Sequence, residues 1–272
     1  MSKEFNRSKM LFIGLFAVTI LVVIVAWPAA AEPGASSVAY LPVITSPPAV
    51  PVDTYETDFD DGIEPWKMVR WQKGGSYDLK HESGCDSDHC GFLELDIDDS
   101  ETYAIVSPLI LGPNRPYVIE IRAQLRDRQD KHQYGVVFGG DWDSSACPGN
   151  NTDSCFNHYY EFRVRYRDDG GEPYLEYRLR RIDGHDNNNV EEGKDLVEWT
   201  RADGVNAEDW HKWSVRYGVR GNITFKVDNN DLPESANDTK YDGPAYFGVI
   251  ARAGDNGDAR ARFNSFSIAR DE

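Results

Sequence analysis

The chain has 272 residues and a formal net charge of −17, with 28% of its residues charged and 12% aromatic. Acidity on this scale excludes a nucleic-acid partner, because phosphate binding needs a strong positive field. The aromatic content excludes a disordered chain.

Lys3, Arg7 and Lys9 precede an almost purely apolar run over 10–27, and Ala29, Ala30 and Ala31 follow it. This order predicts a secretory signal peptide over 1–31. The run is also long enough to span a bilayer, so an uncleaved membrane anchor is the alternative, and it is the only membrane contact the sequence implies. The segment carries three bases and one acid, which leaves the rest of the chain near −19. Residues 32–57 are rich in Pro, Ala and Ser without a period and read as a spacer. Residues 58–272 remain for one domain, ample for a single all-β core.

Through that domain the pattern has period two. Residues 117–126, "YVIEIRAQLR", place Tyr117, Ile119, Ile121, Ala123 and Leu125 on one face and Glu120, Arg122, Gln124 and Arg126 on the other. Residues 158–167 and 174–181 repeat this with Tyr160, Phe162, Val164 and Tyr166, then with Leu175, Tyr177 and Leu179, facing inward. Each is a half-buried strand. The same logic predicts strands over 76–81, 91–98, 103–107, 133–139, 213–219, 222–228, 245–252 and 260–269. Between them lie turns rich in Gly, Asn and Asp, such as "DDGGEP" and "VRGN". Helix signals are nearly absent; the best, "NAEDWHKW" at 206–213, reads as one turn before a strand. A dozen short strands with regular turns predict an all-β fold, a two-sheet antiparallel sandwich or jelly roll.

Four cysteines fall as Cys85-x4-Cys90 and Cys147-x7-Cys155. Behind a signal peptide an even count reads as disulfides, with three pairings open and the near-neighbour pairing favoured because each pair brackets a turn-rich loop. Neither spacing fits a zinc pattern. No cofactor is certain. "DFDDG", "DGHDNNN" and "AGDNGDA" offer oxygen ligands for a loop-stabilising Ca²⁺, without EF-hand spacing. No G-x-S-x-G is present and the six histidines are scattered, so nucleophilic catalysis has no motif.

Two constellations are candidates for binding. Arg163, Arg165, Arg167, Arg178 and Arg180, with Arg122 and Arg126, alternate with Glu120, Glu161 and Glu176. If their three strands are neighbours, these form a cross-strand ladder. The surplus of arginine also suits an anionic glycan, since guanidinium binds carboxylate or sulfate bidentately. Trp142, with Asp141, Asp143 and Tyr159, lies in or beside the loop bracketed by Cys147 and Cys155, where an aromatic face suits a sugar ring.

Several stretches carry a family resemblance. "DFDDGIEPW", "YGVVFGGDW", "HYYEFRV", "EDWHKWSVRYGVRGNITFKVDNNDL", "GPAYFGVIA" and "ARFNSFSIAR" follow the strand order of the concanavalin A-like lectin/glucanase sandwiches. More narrowly they resemble the laminin-G-like domains of secreted bacterial proteins grouped with 3-keto-disaccharide hydrolase, or family 16 glycoside hydrolase-like, domains. The usual Asn-Gly hairpin tip stands here as Asn229-Asn230. Glycosidases of this fold carry acid/base carboxylates at alternate positions of one strand. The resemblance therefore makes Glu94, Asp96 and Asp98 of "CGFLELDIDDSETY" the candidates for catalysis. Asp98 is one methylene shorter than the glutamate of that pattern, and the strand falls early in the domain. The stretch reads instead as the solvated face of a strand whose Leu93, Leu95 and Ile97 pack inward. The expectation is an extracellular, secreted or cell-surface module that binds carbohydrate or another polymer without catalysis. The alternatives are a glycoside hydrolase and a structural, adhesive module.

Overall fold

The computed structural model describes residues 50–71, 76–83, 91–140, 158–185, 191–255 and 257–271. Within them lie fifteen strands: β1 (Thr54–Thr57), β2 (Lys67–Trp71), β3 (Tyr77–Glu82), β4 (Phe92–Ile97), β5 (Tyr103–Ser107), β6 (Tyr117–Leu125), β7 (Gln133–Gly140), β8 (Tyr159–Arg167), β9 (Tyr174–His185), β10 (Glu191–Arg201), β11 (His211–Tyr217), β12 (Asn222–Val227), β13 (Asn230–Asn237), β14 (Tyr246–Arg252) and β15 (Ala259–Arg270). An eight-stranded sheet runs β13-β12-β11-β6-β15-β4-β3, with β1 also paired to β15. A seven-stranded sheet runs β10-β9-β8-β7-β14-β5-β2. The pairings are antiparallel throughout. This is the two-sheet jelly-roll sandwich that the alternation predicts.

The inward residues meet between the sheets. Strand β6 is the clearest case: Tyr117, Ile119, Ile121, Ala123 and Leu125 are buried and the residues between them half-buried. Phe162 of one sheet stacks on Phe225 of the other at 5.0 Å. Trp213 is buried and donates its Nε1–H to the Tyr134 hydroxyl at 2.9 Å, which satisfies the one polar atom of the indole. Trp66 is likewise a core residue, donating to Tyr55 at 2.8 Å. A Cβ at Gly135 would stand 2.0 Å from the Phe162 carbonyl oxygen, so only glycine lets β7 lie this close to β8.

Four features depart from the sequence reading. Strand β1 occupies the end of the predicted spacer and pairs with β15 from Thr54 to Thr57. Strands β2, β10 and β13 were not predicted. All three are edge strands, and with β10 interrupted by register shifts and β13 holding Pro233, neither of these two shows clean alternation. Residues 206–210 make the single turn before a strand that the sequence suggested, without helical geometry, and β11 begins at His211. The β12–β13 hairpin turns on Asp228 and Asn229, at φ 49° and 68°, one residue earlier than Asn229-Asn230. Two successive residues of positive φ match a type I′ turn, whose twist suits a two-residue hairpin. Finally, β6 belongs to the other sheet from β8 and β9, so Arg122 and Arg126 do not share a face with Arg163, Arg165 and Arg178.

Candidate functional site

The carboxylates of β4 come first, since the resemblance made them candidates for catalysis. Leu93, Leu95 and Ile97 are fully buried in the core, as the alternation requires. Glu94 and Asp96 therefore project from the opposite face of the eight-stranded sheet. That face is not solvated: Glu94 is 2% exposed and Asp96 8%. The correction has a simple cause in the register. Strand β15 sets Arg262 opposite Glu94 and Arg260 opposite Asp96, while β3 sets Lys80 opposite Glu94. Arg262 Nε donates to Glu94 at 2.6 Å, and Arg126 stands 3.7 Å from the same oxygen. Asp96 accepts from Arg260 at 3.1 Å and from Lys80 at 3.4 Å. Asp98 lies beyond the strand and accepts from the Ser76 hydroxyl. Such cross-strand pairs stabilise a sheet by about 0.2–1 kcal/mol each.

The outer face of the seven-stranded sheet is built differently. Over its middle the residues that alternate away from the core form a second buried apolar cluster of Val69, Tyr103, Ile105, Val137, Tyr159, Ile182 and Ile250. Tyr159, a predicted ligand contact, is fully enclosed there. Burial, with the nearby Tyr103, pushes its phenol well above the ordinary value. Arg70 is also fully buried and donates to the Tyr103 hydroxyl at 2.9 Å.

Beside this cluster lies a network of charge. Strand pairing places Glu161 opposite Arg180, Arg163 opposite Arg178 and Arg165 opposite Glu176. Arg163 and Glu161 are fully buried and bonded to one another. Arg163 also donates to Glu191 at 3.1 Å and to Gln133 at 3.1 Å. Arg180 reaches the same Glu191 oxygen at 3.0 Å. Burial pushes the Glu161 carboxyl up, with the Arg163 charge opposing it and Glu191 adding to it. Against the cost of burial, Glu161 and Glu191 hold the Arg163 guanidinium above its ordinary value.

The network opens into a cavity of about 310 Å³. Five cations line it (Lys131, Arg165, Arg178, Arg180 and Arg252) against two acids, Glu101 and Asp255. Trp199 of β10 forms part of the wall. The Arg165 guanidinium lies 4.0 Å from its ring centroid and that of Arg178 4.7 Å. The indole thus fixes two guanidiniums at the cavity wall by cation–π attraction. Burial, then the neighbouring Arg163 charge, draws Arg178 down to about 10. The same two causes, in the same order, lower Arg252. Both shifts follow chiefly from burial of the guanidinium, with a like charge nearby as the second cause. The arrangement is suited to holding an anion.

Of the predicted ligand contacts, the structure brings Arg163, Arg165 and Arg178 together on this face, with Arg165 and Arg178 at the cavity and Arg163 sealed beneath. Trp142, Asp141 and Asp143 lie outside the described residues, as do Cys85, Cys90, Cys147 and Cys155, the signal segment and its spacer up to residue 49. Among the described residues no group of three or more His, Cys, Asp or Glu is placed to hold a metal ion. Trp199, Glu191 and Arg252 escaped the sequence reading. Trp199 and Glu191 sit on the irregular edge strand β10. Arg252 is the last residue of β14 and carries no pattern of its own. The available signal was composition, an "EWTR" tryptophan flanked by charge.

No family model and no curated protein matches the sequence. Among solved structures, the chain is similar to a glycoside hydrolase family 16 endo-glucanase from Bacteroides ovatus at 11% identity, covering 79% of this chain and 99% of that one with a TM-score of 0.50. It is also similar to a legume lectin-like domain from Entamoeba histolytica at 11% identity, covering 72% and 90% with a TM-score of 0.48. At such identities the likeness is one of fold. Two antiparallel sheets in this order make the chain an all-β jelly-roll sandwich.

Proposed function

We propose that this protein is a secreted or cell-surface module that recognises a carbohydrate or related extracellular polymer without cleaving it. The observation that carries this reading is the cation-lined cavity on the outer face of the seven-stranded sheet, walled by Trp199. A few convergent polar groups in a depression suit recognition of a segment of polymer. The fold, shared with an endo-glucanase, is compatible with a sugar ligand and says nothing of catalysis by itself.

Non-catalytic recognition is supported by the state of the carboxylates. Hydrolysis requires two carboxyl groups flanking the scissile bond with access to it. Glu94 and Asp96 are occupied by Arg262, Arg260 and Lys80 on the other sheet. Glu161 is enclosed and bonded to Arg163.

A glycan array with the full chain, run with calcium and again with EDTA, tests the proposal. Binding of at least one glycan class without release of reducing sugar is the expected result. Sensitivity to EDTA would add calcium to the recognition loops. Reducing-sugar release would favour the hydrolase, and silence across the array would favour a structural, adhesive role.

A further inference from the structure

We infer that the cavity at the β8–β9–β10 end of the seven-stranded sheet selects an acidic glycan, one whose carboxylate or sulfate group is held by Arg252 together with Arg165 and Arg178. The inference rests on the recognition role proposed above and specifies its ligand. Four observations lead to it.

The first is the sign of the charge. The chain carries −17 overall, yet this cavity has five cations against two acids. One of those cations, Lys131, already pairs with Asp255. A local inversion of charge in a strongly acidic molecule focuses anions at that place.

The second is Arg252. Arg165, Arg178 and Arg180 each have a carboxylate partner: Glu176 at 2.5 Å, Glu161 at 3.5 Å and Glu191 at 3.0 Å. Arg252 is half-buried and lines the cavity, and its side chain makes no hydrogen bond or ion pair among the described residues. A partly desolvated guanidinium is costly unless an acceptor completes it.

The third is an orphaned donor. Arg178 Nε is buried and has no hydrogen-bond partner among the described residues. Buried polar atoms are almost always satisfied, so an exception at a cavity wall marks the place of an absent acceptor. An oxyanion there accepts from Arg178 and from Arg252 at once.

The fourth is preorganisation. The Trp199 ring lies against both the Arg165 and the Arg178 guanidiniums. Binding then immobilises few free rotamers, and fixed planar forks match the geometry of carboxylate and sulfate. The same contacts occupy the indole, so Trp199 positions the arginines and does not act as a stacking platform for sugar.

The test is calorimetric titration of the full chain with a uronate oligosaccharide, a sulfated oligosaccharide, a neutral glucan oligosaccharide and inorganic sulfate, each at two ionic strengths. The expected result is binding of at least one acidic oligosaccharide, little of the neutral one, and weakening as salt rises. Arg252→Gln should lower that affinity by about tenfold with the thermal midpoint retained, because a charge-assisted bond is lost and no internal pair is broken. Arg216→Gln removes the same charge from the other sheet, where Arg216 pairs with Asp271, and should leave binding unchanged. Equal binding of acidic and neutral oligosaccharides, or indifference to Arg252→Gln, would overturn the inference while leaving the recognition role standing. Equal affinity for inorganic sulfate would assign the cavity to a free oxyanion and overturn the glycan. Failure of every oligosaccharide would remove both readings.

Discussion

Glu94 and Arg252 are both charged strand residues, and what separates them is their partners. Glu94 is 2% exposed and accepts from Arg262 at 2.6 Å, so its charge is consumed within the sheet. Glu94→Gln should destabilise the fold by about 2 kcal/mol. This is below the roughly 3–5 kcal/mol of a fully buried pair because Arg262 retains access to water. A lowered urea midpoint with glycan binding intact is the expected outcome. Unchanged stability with loss of a hydrolytic activity would instead make Glu94 a catalytic group. Acid sensitivity belongs to this scale as well. Burial opposes ionisation of Asp183, but hydrogen bonds from Arg181, Lys240 and Tyr241 outweigh it and hold its carboxyl well below the usual range. At Asp238, Tyr160 and Arg181 outweigh burial in the same way. A folded-state value below the unfolded one contributes stability that is present above 3.8 and is lost as pH falls through the folded value. Thermal midpoints should therefore fall as pH drops below 3.8, and Asp183→Asn should flatten that fall.

At the scale of elements, the β7–β8 contact depends on Gly135. A Cβ there would meet the Phe162 carbonyl at 2.0 Å, so Gly135→Ala should cost about 2 kcal/mol by forcing the strands apart. Gly170→Ala, at φ 86° with open space around it, should cost about 1 kcal/mol from backbone strain alone. Equal urea midpoints for the two variants would contradict this account of the pairing. Strands whose faces differ in chemistry were legible in the sequence. Strands β6, β8 and β9 alternate cleanly because one face meets the core and the other carries Arg and Glu. Strands β2, β10 and β13 were not legible, because an edge strand has no second neighbour to impose a pattern, and β13 also holds Pro233. Which strands share a sheet was also hidden, since pairing between β8 and β9 and separation from β6 follow from topology and not from period. The arginines of the candidate site were therefore visible as residues, while the cavity they make was not. Its wall depends on Trp199, brought from the unread strand β10. Trp199→Ala should release Arg165 and Arg178 and weaken acidic-glycan binding, whereas Trp199→Phe, which keeps a ring face, should retain most of it.

For the whole molecule, a net charge of −17 contrasts with a cavity lined by five cations and two acids. Two sheets of similar size carry opposite solutions to the same problem. The eight-stranded sheet neutralises its outer carboxylates with Arg260, Arg262 and Lys80. The seven-stranded sheet leaves guanidinium in surplus. We propose that recognition falls on the outer face of the seven-stranded sheet. Hydrogen exchange of the full chain, with and without the tightest glycan from the array, tests it most directly. The account predicts added protection at the β8–β9–β10 end and at the end of β14 that holds Arg252. Protection confined to β4 and β15, around Glu94 and Asp96, would contradict it.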